Sequence, residues 1–362
     1  MGYKSLAACA ADLKKNDHLF EIPFEADPDL EMAEIHRRVF DNNGPALLFT
    51  KVKNSPFPAL SNLYGTKERV HFLFRDSLDK VKKITQLKNN PQLFFKKPVH
   101  YASAPLTAFN ALPKKSSFAP VMRNTTTIDQ LPQIKSWPMD GGACVTLPQV
   151  VTLPPSGSSP MNSNIGMYRV QLSGNDFKRN EEVGMHYQLH RGIGVHHKAY
   201  LNSEDEFKAN VVIGGPPSFA FSAIMPLPEG LSEMTFAGML NRRRYRYKNS
   251  EGFLISNDAD FCITGTIVKR KEKPEGPFGD HLGYYSLKHD FPYMKVDKVY
   301  HRDNAIWHFT VVGRPPAEDS YFGYLIHEIV ADLSREEFPG IHSINAVDES
   351  GVHPLLLAVG SE

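Results

Sequence analysis

Cysteine is scarce in this chain, and the three present, Cys9, Cys144 and Cys262, lie far apart with no CxxC pair. That spacing excludes a disulfide framework and a cysteine-based zinc site, and it fits a reducing compartment. Charge imbalance is also missing. The 41 lysines and arginines against 40 aspartates and glutamates leave a net charge of +1, which argues against bulk attraction to nucleic acid while leaving room for a local patch. No apolar run approaches the roughly 18 residues of a membrane span. The N-terminus, MGYKSLAACAADLKKND, lacks the charged-then-apolar order of a secretory signal, and its MGYKSL start matches a myristoylation signal only superficially. The expectation is a soluble, cytoplasmic protein whose contacts are made at particular sites.

What is abundant is punctuation: 27 prolines and 25 glycines predict many turns and short strands. Helices are expected from Ser5 to Lys15, from Asp27 with that residue as N-cap, from Thr66, and from Ser77 to Leu87. Strands are expected at Leu19 to Phe24, Ala46 to Val52 and Phe57 to Tyr64. This alternation predicts a small N-terminal α/β domain, with a proline-rich stretch of loops after Phe95 broken by a strand at Ala143 to Thr152. Closely spaced strands between Met167 and Val312, with helices at Ser203 to Ala209 and Glu233 to Leu240, predict a mainly antiparallel β domain. A linking helix follows from Ser320, and two short strands end the chain on HPLLLAVGSE. The fold class is therefore mixed α+β. Its expected domains are 1–125 (N-terminal, with a loop extension), 126–318 (β domain) and 319–362 (linking helix and start of a C-terminal α/β domain). The apolar last strand lacks an evident partner, which suggests that a C-terminal domain is truncated here or supplied by another chain.

Several segments carry chemistry-bearing residues, each with a plainer alternative. The turn Pro274-Glu275-Gly276-Pro277-Phe278-Gly279-Asp280 presents two carboxylates, either as a solvated surface turn or as an acid/base pair. In Asn164-Ile165-Gly166-Met167-Tyr168-Arg169, the arginine fork suits a carboxylate or phosphate, or an ordinary surface ion pair. The run from Met185 to His197 holds His186, His190, His196 and His197. A helical stretch would put His186 and His190 on one face as metal ligands, although Gly192 and Gly194 argue against a long helix. Ser232-Glu233 reads as a helix start with its acid on the dipole, or as a metal ligand in company. Val212 to Pro217 is a plain turn or a phosphate cradle. Arg242 to Lys248 interleaves cations and aromatics, as a solvated edge strand does and as single-strand nucleic-acid binders do.

In their order along the chain these pieces resemble the UbiD family of prenylated-flavin-dependent decarboxylases, the 3-octaprenyl-4-hydroxybenzoate carboxy-lyase type among them. The elements that carry the resemblance are Asn164 to Arg169, His190-Arg191-Gly192, Pro226 to Gly238, and Glu275 to Tyr285. Weaker agreement comes from Ser136-Trp137-Pro138 with Asp140-Gly141-Gly142, and from Tyr300 to Ile306. The resemblance implies a central split β-barrel that binds prenylated FMN. It also implies manganese or another divalent metal on Asn164, His190 and Glu233, with potassium as a further candidate ion. Met167, Tyr168, Arg169, Tyr187, Gln188, His190, Arg191 and Gly192 would line the cofactor, along with Asn164 and Glu233.

Arg169, Glu275 and Asp280 would be catalytic: Arg169 holding the substrate carboxylate, Glu275 poising Arg169, and Asp280 delivering the proton. The implied reaction is non-oxidative, reversible decarboxylation of an aromatic or α,β-unsaturated acid. The aspartate at 280 points to hydroxyaryl acids of quinone pathways. Implied partners are a flavin prenyltransferase as cofactor supplier, further copies of the chain in a homo-oligomer, and a membrane surface held peripherally, with no nucleic acid. Two features depart from the pattern. The Arg169-to-His190 spacing is long, which leaves His186 as a rival ligand, and the segment from Tyr101 to Asn124 has no counterpart. An ordinary flavin oxidoreductase on the same barrel, or a non-catalytic RNA-binding or scaffold module, are the alternative readings.

Overall fold

The N-terminal region is built on a parallel crossover. Helix α1 (Leu6–Lys15) is capped by Ser5, whose hydroxyl accepts from the Ala8 N–H at 3.1 Å, and it ends on Lys14 and Lys15 at the negative pole of the dipole. Strands β1 (Leu19–Ala26) and β2 (Ala46–Val52) pair in parallel, and α2 (Glu31–Asp41) makes the crossover. Asp27 does not cap α2. Its carboxylate accepts from the Asp29 N–H at 3.0 Å in a local turn, and the helix starts at Glu31. Strand β3 (Ala59–Ser61) adds antiparallel to β2 and is followed by α3 (Lys67–Phe74), capped by Thr66, and α4 (Leu78–Asn89). Two short helices then occupy part of the stretch expected as loop, α5 (Leu93–Lys96) and α6 (Ala104–Asn110). The computed structural model describes residues 2–361 apart from 156, 158, 189–191, 228–231, 338–339 and 352–354.

The middle of the chain is a curled half-barrel of antiparallel strands. After β4 (Lys114–Lys115) come β5 (Asn124–Thr126), β6 (Cys144–Val145), β7 (Gln149–Thr152), β8 (Asn164–Gly166), β9 (Val170–Gln171) and β10 (Glu182–Met185). Helix α7 (Ile193–Leu201), β11 (Phe207–Ile213), α8 (Pro217–Ser222) and α9 (Glu233–Leu240) follow. Then come β12 (Arg246–Ser250), β13 (Phe253–Ser256), β14 (Phe261–Glu275), β15 (His289–His301) and β16 (Trp307–His308). The large sheet runs β6-β9-β10-β15-β14-β11-β7-β8, with β5 also on β15. The helix expected at Ser203 to Ala209 is not there. Ala209-Asn210-Val211-Val212-Ile213 is β-rich and is captured between β14 and β7, while the helix forms earlier, where Gly192 at φ 47° starts α7 rather than breaking it.

Strand β16 leaves the half-barrel and pairs in parallel with β3, so the small N-terminal sheet takes its fourth strand from residue 307. Fully buried Trp307 locks this junction edge-on to Phe261, with ring centroids 5.2 Å apart. Helix α10 (Ser320–Glu337) then packs on α4, and β17 (Ile341–Ala346) and β18 (Leu356–Gly360) close as an antiparallel hairpin. The terminal strand therefore finds its partner within this chain. Among the described residues no helix is long and apolar enough to cross a membrane.

Candidate functional site

Strand pairing brings the first two polar groups together. Residues 170–171 pair with 184–185, and the Arg169 carbonyl continues the ladder by accepting from the His186 N–H at 3.0 Å. Arg169 and His186 are thus cross-strand neighbours, close enough for their side chains to meet. The third group arrives on the long β14–β15 ribbon, whose last pair is Glu275 with His289. There Arg169 grips Glu275 bidentately, Nε to Oε1 and Nη2 to Oε2, both at 2.8 Å. His186 Nδ1 lies 2.9 Å from Arg169 Nη2 and 3.1 Å from Glu275 Oε2. The guanidinium also stacks on Phe278 at 4.2 Å.

Glu275 is 1 % exposed. Burial alone would raise its pKa, but the hydrogen bonds from His186 and Arg169 and the arginine's charge outweigh that and hold it at about 2. Nη1 of Arg169 makes no hydrogen bond among the described residues and remains available to the cavity that the arginine lines.

That cavity has a volume of about 510 Å³. Its walls are mostly apolar, with Leu147, Met167, Ile224, Val312, Phe322 and Ile326, and its polar groups are gathered as Arg169 and His186 with Asp280, His281 and Asp319. Size and lining suit an organic ligand of cofactor dimensions. Asp280 faces this space from a loop whose path is tightly held. Asp140 accepts from the Ser136 and Trp137 N–H groups through Oδ2, at 3.2 and 2.9 Å, and from the Gly279 N–H through Oδ1 at 2.8 Å. Gln171 Oε1 accepts from the Gly276 N–H at 2.9 Å, and Ser286 Oγ from the Phe278 N–H at 3.1 Å. A Cβ at Gly279 would sit 2.2 Å from the Trp137 ring, so this position must be glycine for the loop to lie against the tryptophan. His281, next along, pairs with Asp319 at 3.0 Å and so ties the loop to the start of α10.

A second locus adjoins the cavity. Asn164 and Gly166 are two apart on β8, hence on one face, and Gly166 lines the cavity. The Ile165 N–H between them donates to Glu233 Oε2 at 2.9 Å, which brings the first residue of α9 beside Asn164. Burial raises the Glu233 pKa against the two backbone N–H groups that lower it, and among the described residues no cation pairs with this carboxylate. An amide oxygen beside a half-buried carboxylate without a counter-ion is a donor set suited to a hard divalent cation. Gly192 passes close by, since a Cβ there would lie 2.6 Å from Asn164 Oδ1 and 2.2 Å from the Tyr168 hydroxyl. Among the described residues no group of three or more histidines, cysteines, aspartates or glutamates gathers as a metal site.

The structure thus brings Arg169 and Asp280 to one cavity with Met167 and Tyr168, holds buried Glu275 behind Arg169, and sets Asn164, Glu233 and Gly192 beside the cavity. His190 and Arg191 lie outside the described residues. Tyr187 is buried, its hydroxyl 2.8 Å from His197 Nδ1, and Gln188 is exposed; neither lines the cavity. His186, a rival metal ligand by spacing, sits on the Arg169–Glu275 pair instead. The arginines of the basic run are consumed internally. Arg242 pairs with Asp76, Arg243 and Arg246 with Asp258, and Arg244 donates to the Leu112 and Pro113 carbonyls. Sequence reasoning missed Asp140 and the His281–Asp319 pair. For the first, the signal was the aspartate of the Ser136-to-Gly142 element.

Solved structures place the fold among the UbiD-class enzymes. The closed form of the vanillic acid decarboxylase of Sedimentibacter hydroxybenzoicus superposes with a TM-score of 0.81 at 21 % identity, over 97 % of this chain and 73 % of that one. The UbiD-class enzyme HmfF of Pelotomaculum thermopropionicum, in complex with prenylated FMN, gives 0.77 at 20 % identity, over 96 % and 76 %. The model of the 3-octaprenyl-4-hydroxybenzoate carboxy-lyase Rift-related domain matches residues 113–315, and that of the N-terminal domain of the same carboxy-lyase matches residues 10–88. The chain belongs to the UbiD family. A Chlamydia trachomatis protein is 37 % identical over 365 residues, 99 % of this chain and 62 % of the relative. A 4-hydroxybenzoate decarboxylase subunit of Chlamydia pneumoniae is 39 % identical over 357 residues, 96 % and 59 %. The chain spans about three fifths of the length of these relatives.

Proposed function

We propose that the chain supplies the catalytic half-barrel of a non-oxidative decarboxylase. It would act on an aromatic or α,β-unsaturated carboxylic acid, a hydroxyaryl acid of a quinone pathway first among them. The observation that carries this reading is Arg169, gripped bidentately by buried Glu275, on the wall of a cavity of about 510 Å³ that Asp280 also lines. With both Glu275 oxygens engaged by the Nε–Nη2 edge of the guanidinium, Arg169 presents its remaining Nη1 to a substrate carboxylate in a fixed orientation. Apolar walls keep water from the group being released, and Asp280 supplies the proton that replaces it. Prenylated FMN, held against Met167, Tyr168 and Arg169, would provide the electron sink that the protein's own side chains lack. Asn164 and Glu233, with His190 as a further ligand, would hold manganese or another divalent ion beside the cofactor.

Relatives support the class. A 4-hydroxybenzoate decarboxylase subunit and a vanillic acid decarboxylase are among the similar proteins, and HmfF is known in complex with prenylated FMN. The test is carbon dioxide release from a panel of hydroxyaryl and cinnamic-type acids, by protein produced together with a flavin prenyltransferase. Release from at least one acid, lost in Arg169→Ala, is the expected result. Turnover that survives Arg169→Ala removes the arginine from the mechanism. Unmodified FMN together with pyridine-nucleotide oxidation would replace the decarboxylase with an oxidoreductase.

A further inference from the structure

A second, smaller cavity lies between helix α2 and residues 311–317. Its volume is about 160 Å³, close to that of a protein cavity known to hold one benzene ring. Much of its wall is aromatic. His36 and Phe40 lie one turn apart on α2, their rings parallel to within 3° and their centroids 6.5 Å apart. Trp137 adds a third ring. Its Nε1 donates to the Val312 carbonyl at 2.8 Å, and the Arg37 guanidinium covers the ring at 4.2 Å, so the indole has only carbon left to offer an occupant.

One polar atom is left over. His36 is 2 % exposed, and its Nδ1 has no hydrogen-bond partner among the described residues. A buried nitrogen without a partner costs free energy that a ligand hydroxyl would recover. Burial and the nearby charges of Arg37 and Arg69 push the imidazole pKa down to about 3, so the ring is neutral. A neutral ring nitrogen can share one hydrogen bond with a hydroxyl, but it brings no charge to hold a carboxylate. At the rim Arg314 and Asp41 are both exposed, one cation and one anion, while Arg37 is already engaged by Glu34 and the Ser136 carbonyl.

We propose that this cavity is a binding site for a phenol, with the ring against His36, Phe40 and Trp137 and the hydroxyl on His36 Nδ1. The single-ring volume, the lone neutral nitrogen and the balanced rim together select an uncharged hydroxyaryl compound over an aromatic acid. Under the proposed decarboxylation of a hydroxyaryl acid, a phenol is the class of molecule released. The small cavity also backs onto the large one. Val311 and Gly313 line the first and Thr310 and Val312 the second, so one stretch of backbone serves both. Trp137 packs against Gly279, and the Arg314 side chain against Gly283, on either side of Asp280. A phenol seated here touches the supports of the Asp280 loop without entering the large cavity.

The test is calorimetric titration of the purified chain with phenol, toluene and benzoate, followed in parallel by tryptophan fluorescence. The chain has two tryptophans, and Trp307 is fully buried, so a fluorescence change on binding reports Trp137. Phenol should bind saturably, toluene roughly three- to tenfold more weakly for want of one hydrogen bond, and benzoate more weakly still. His36→Phe should bring phenol down to the affinity of toluene and leave toluene itself unchanged. Ala317→Leu, which fills the cavity, should abolish binding of both, and each variant should keep the parent's circular dichroism. No saturable binding, toluene as tight as phenol, or phenol binding that His36→Phe leaves intact overturns the proposal. Phenol binding that survives Ala317→Leu puts the ligand in the large cavity and overturns it as well. Binding is read without cofactor or turnover, so its failure leaves the decarboxylase proposal standing, and failure of the decarboxylase leaves the binding result unchanged.

Discussion

Glu275 and Glu233 are the same side chain in opposite circumstances. Glu275 is sealed in with an arginine and a histidine, and their hydrogen bonds hold its pKa at about 2 despite burial. Glu233 is shielded from water as well, but its described partners are backbone N–H groups, and its pKa is raised. Among the described residues the first site is complete in its own atoms, and the second is short of one positive charge. A preformed anionic–cationic pair suits a group that must be in place before the substrate arrives. An unpaired carboxylate suits one that waits for an ion.

The strongest break of this contrast is Glu275→Gln. Turnover should fall roughly a thousandfold or more, because Arg169 loses the partner that aims it, while divalent-metal uptake stays as in the parent protein. Arg169→Ala adds a stability cost of about 3–5 kcal/mol by leaving Glu275 buried without its arginine, measurable by denaturant unfolding. Asp280→Asn should cost roughly a hundredfold to ten-thousandfold in rate. Its fold should survive, because the described contacts of the Asp280 carboxylate are local, to the next residue's N–H. Normal turnover in either carboxylate variant ends the proposed division of labour. The pH dependence carries the same sign. Because the folded pKa of Glu275 is depressed, its contribution to stability is present above 4.5 and is lost as pH falls toward about 2.

Glu233→Gln sharpens the other half. Metal affinity, read by calorimetry on the purified chain, should drop roughly a hundredfold with no loss of folding stability, since the variant removes a charge that burial disfavours. In the parent protein the affinity should rise with pH as the metal displaces a proton from this raised carboxyl. A metal affinity indifferent to both pH and Glu233→Gln would leave Glu233 as a helix-start acid only.

How much of this was legible in the sequence depends on how far each contact reaches along the chain. The strand Ala46–Val52 and the helix Glu233–Leu240 were readable because local period and caps define them. Arg169, Glu275 and Asp280 could be nominated by resemblance, but their meeting rests on a contact across 106 residues that no local pattern reveals. His186 was read as a metal candidate because histidine spacing is visible. Its actual place on Glu275 follows from the pairing of β9 with β10, which is not. Helix α6 was missed for a different reason: with seven residues and Pro105 in its first turn it is too short to show a helical period.

Asp140 tests whether the acid/base loop is held or merely present. Asp140→Ala removes the acceptor for three backbone N–H groups, including that of Gly279 between Glu275 and Asp280. About 1–3 kcal/mol of stability should go with it. The rate should fall roughly tenfold, mostly in kcat, as Asp280 loses its fixed position. Asp140→Asn keeps one acceptor oxygen and should recover part of the loss. Equal damage to kcat and KM in both variants would mark Asp140 as structural only.

The smallest effect is expected at His281, where the loop meets α10. Burial would lower this histidine's pKa, but the hydrogen bond to Asp319 and the charges of Asp319, Asp280 and Asp348 raise it. The raised value means that the ion pair's contribution is fully present below 6.5 and fades as pH climbs through the folded pKa. Because the pair is partly open to solvent, with side chains 29 % and 13 % exposed, that contribution should stay below about 1 kcal/mol. Melting curves across pH 6.5 should therefore show a small decline in the parent protein that is absent in His281→Gln. Since His281 follows Asp280 directly, the same variant should shift the alkaline limb of the turnover profile more than it shifts stability. A profile unchanged by His281→Gln would separate the latch on α10 from the Asp280 loop, leaving Asp140 as that loop's main anchor.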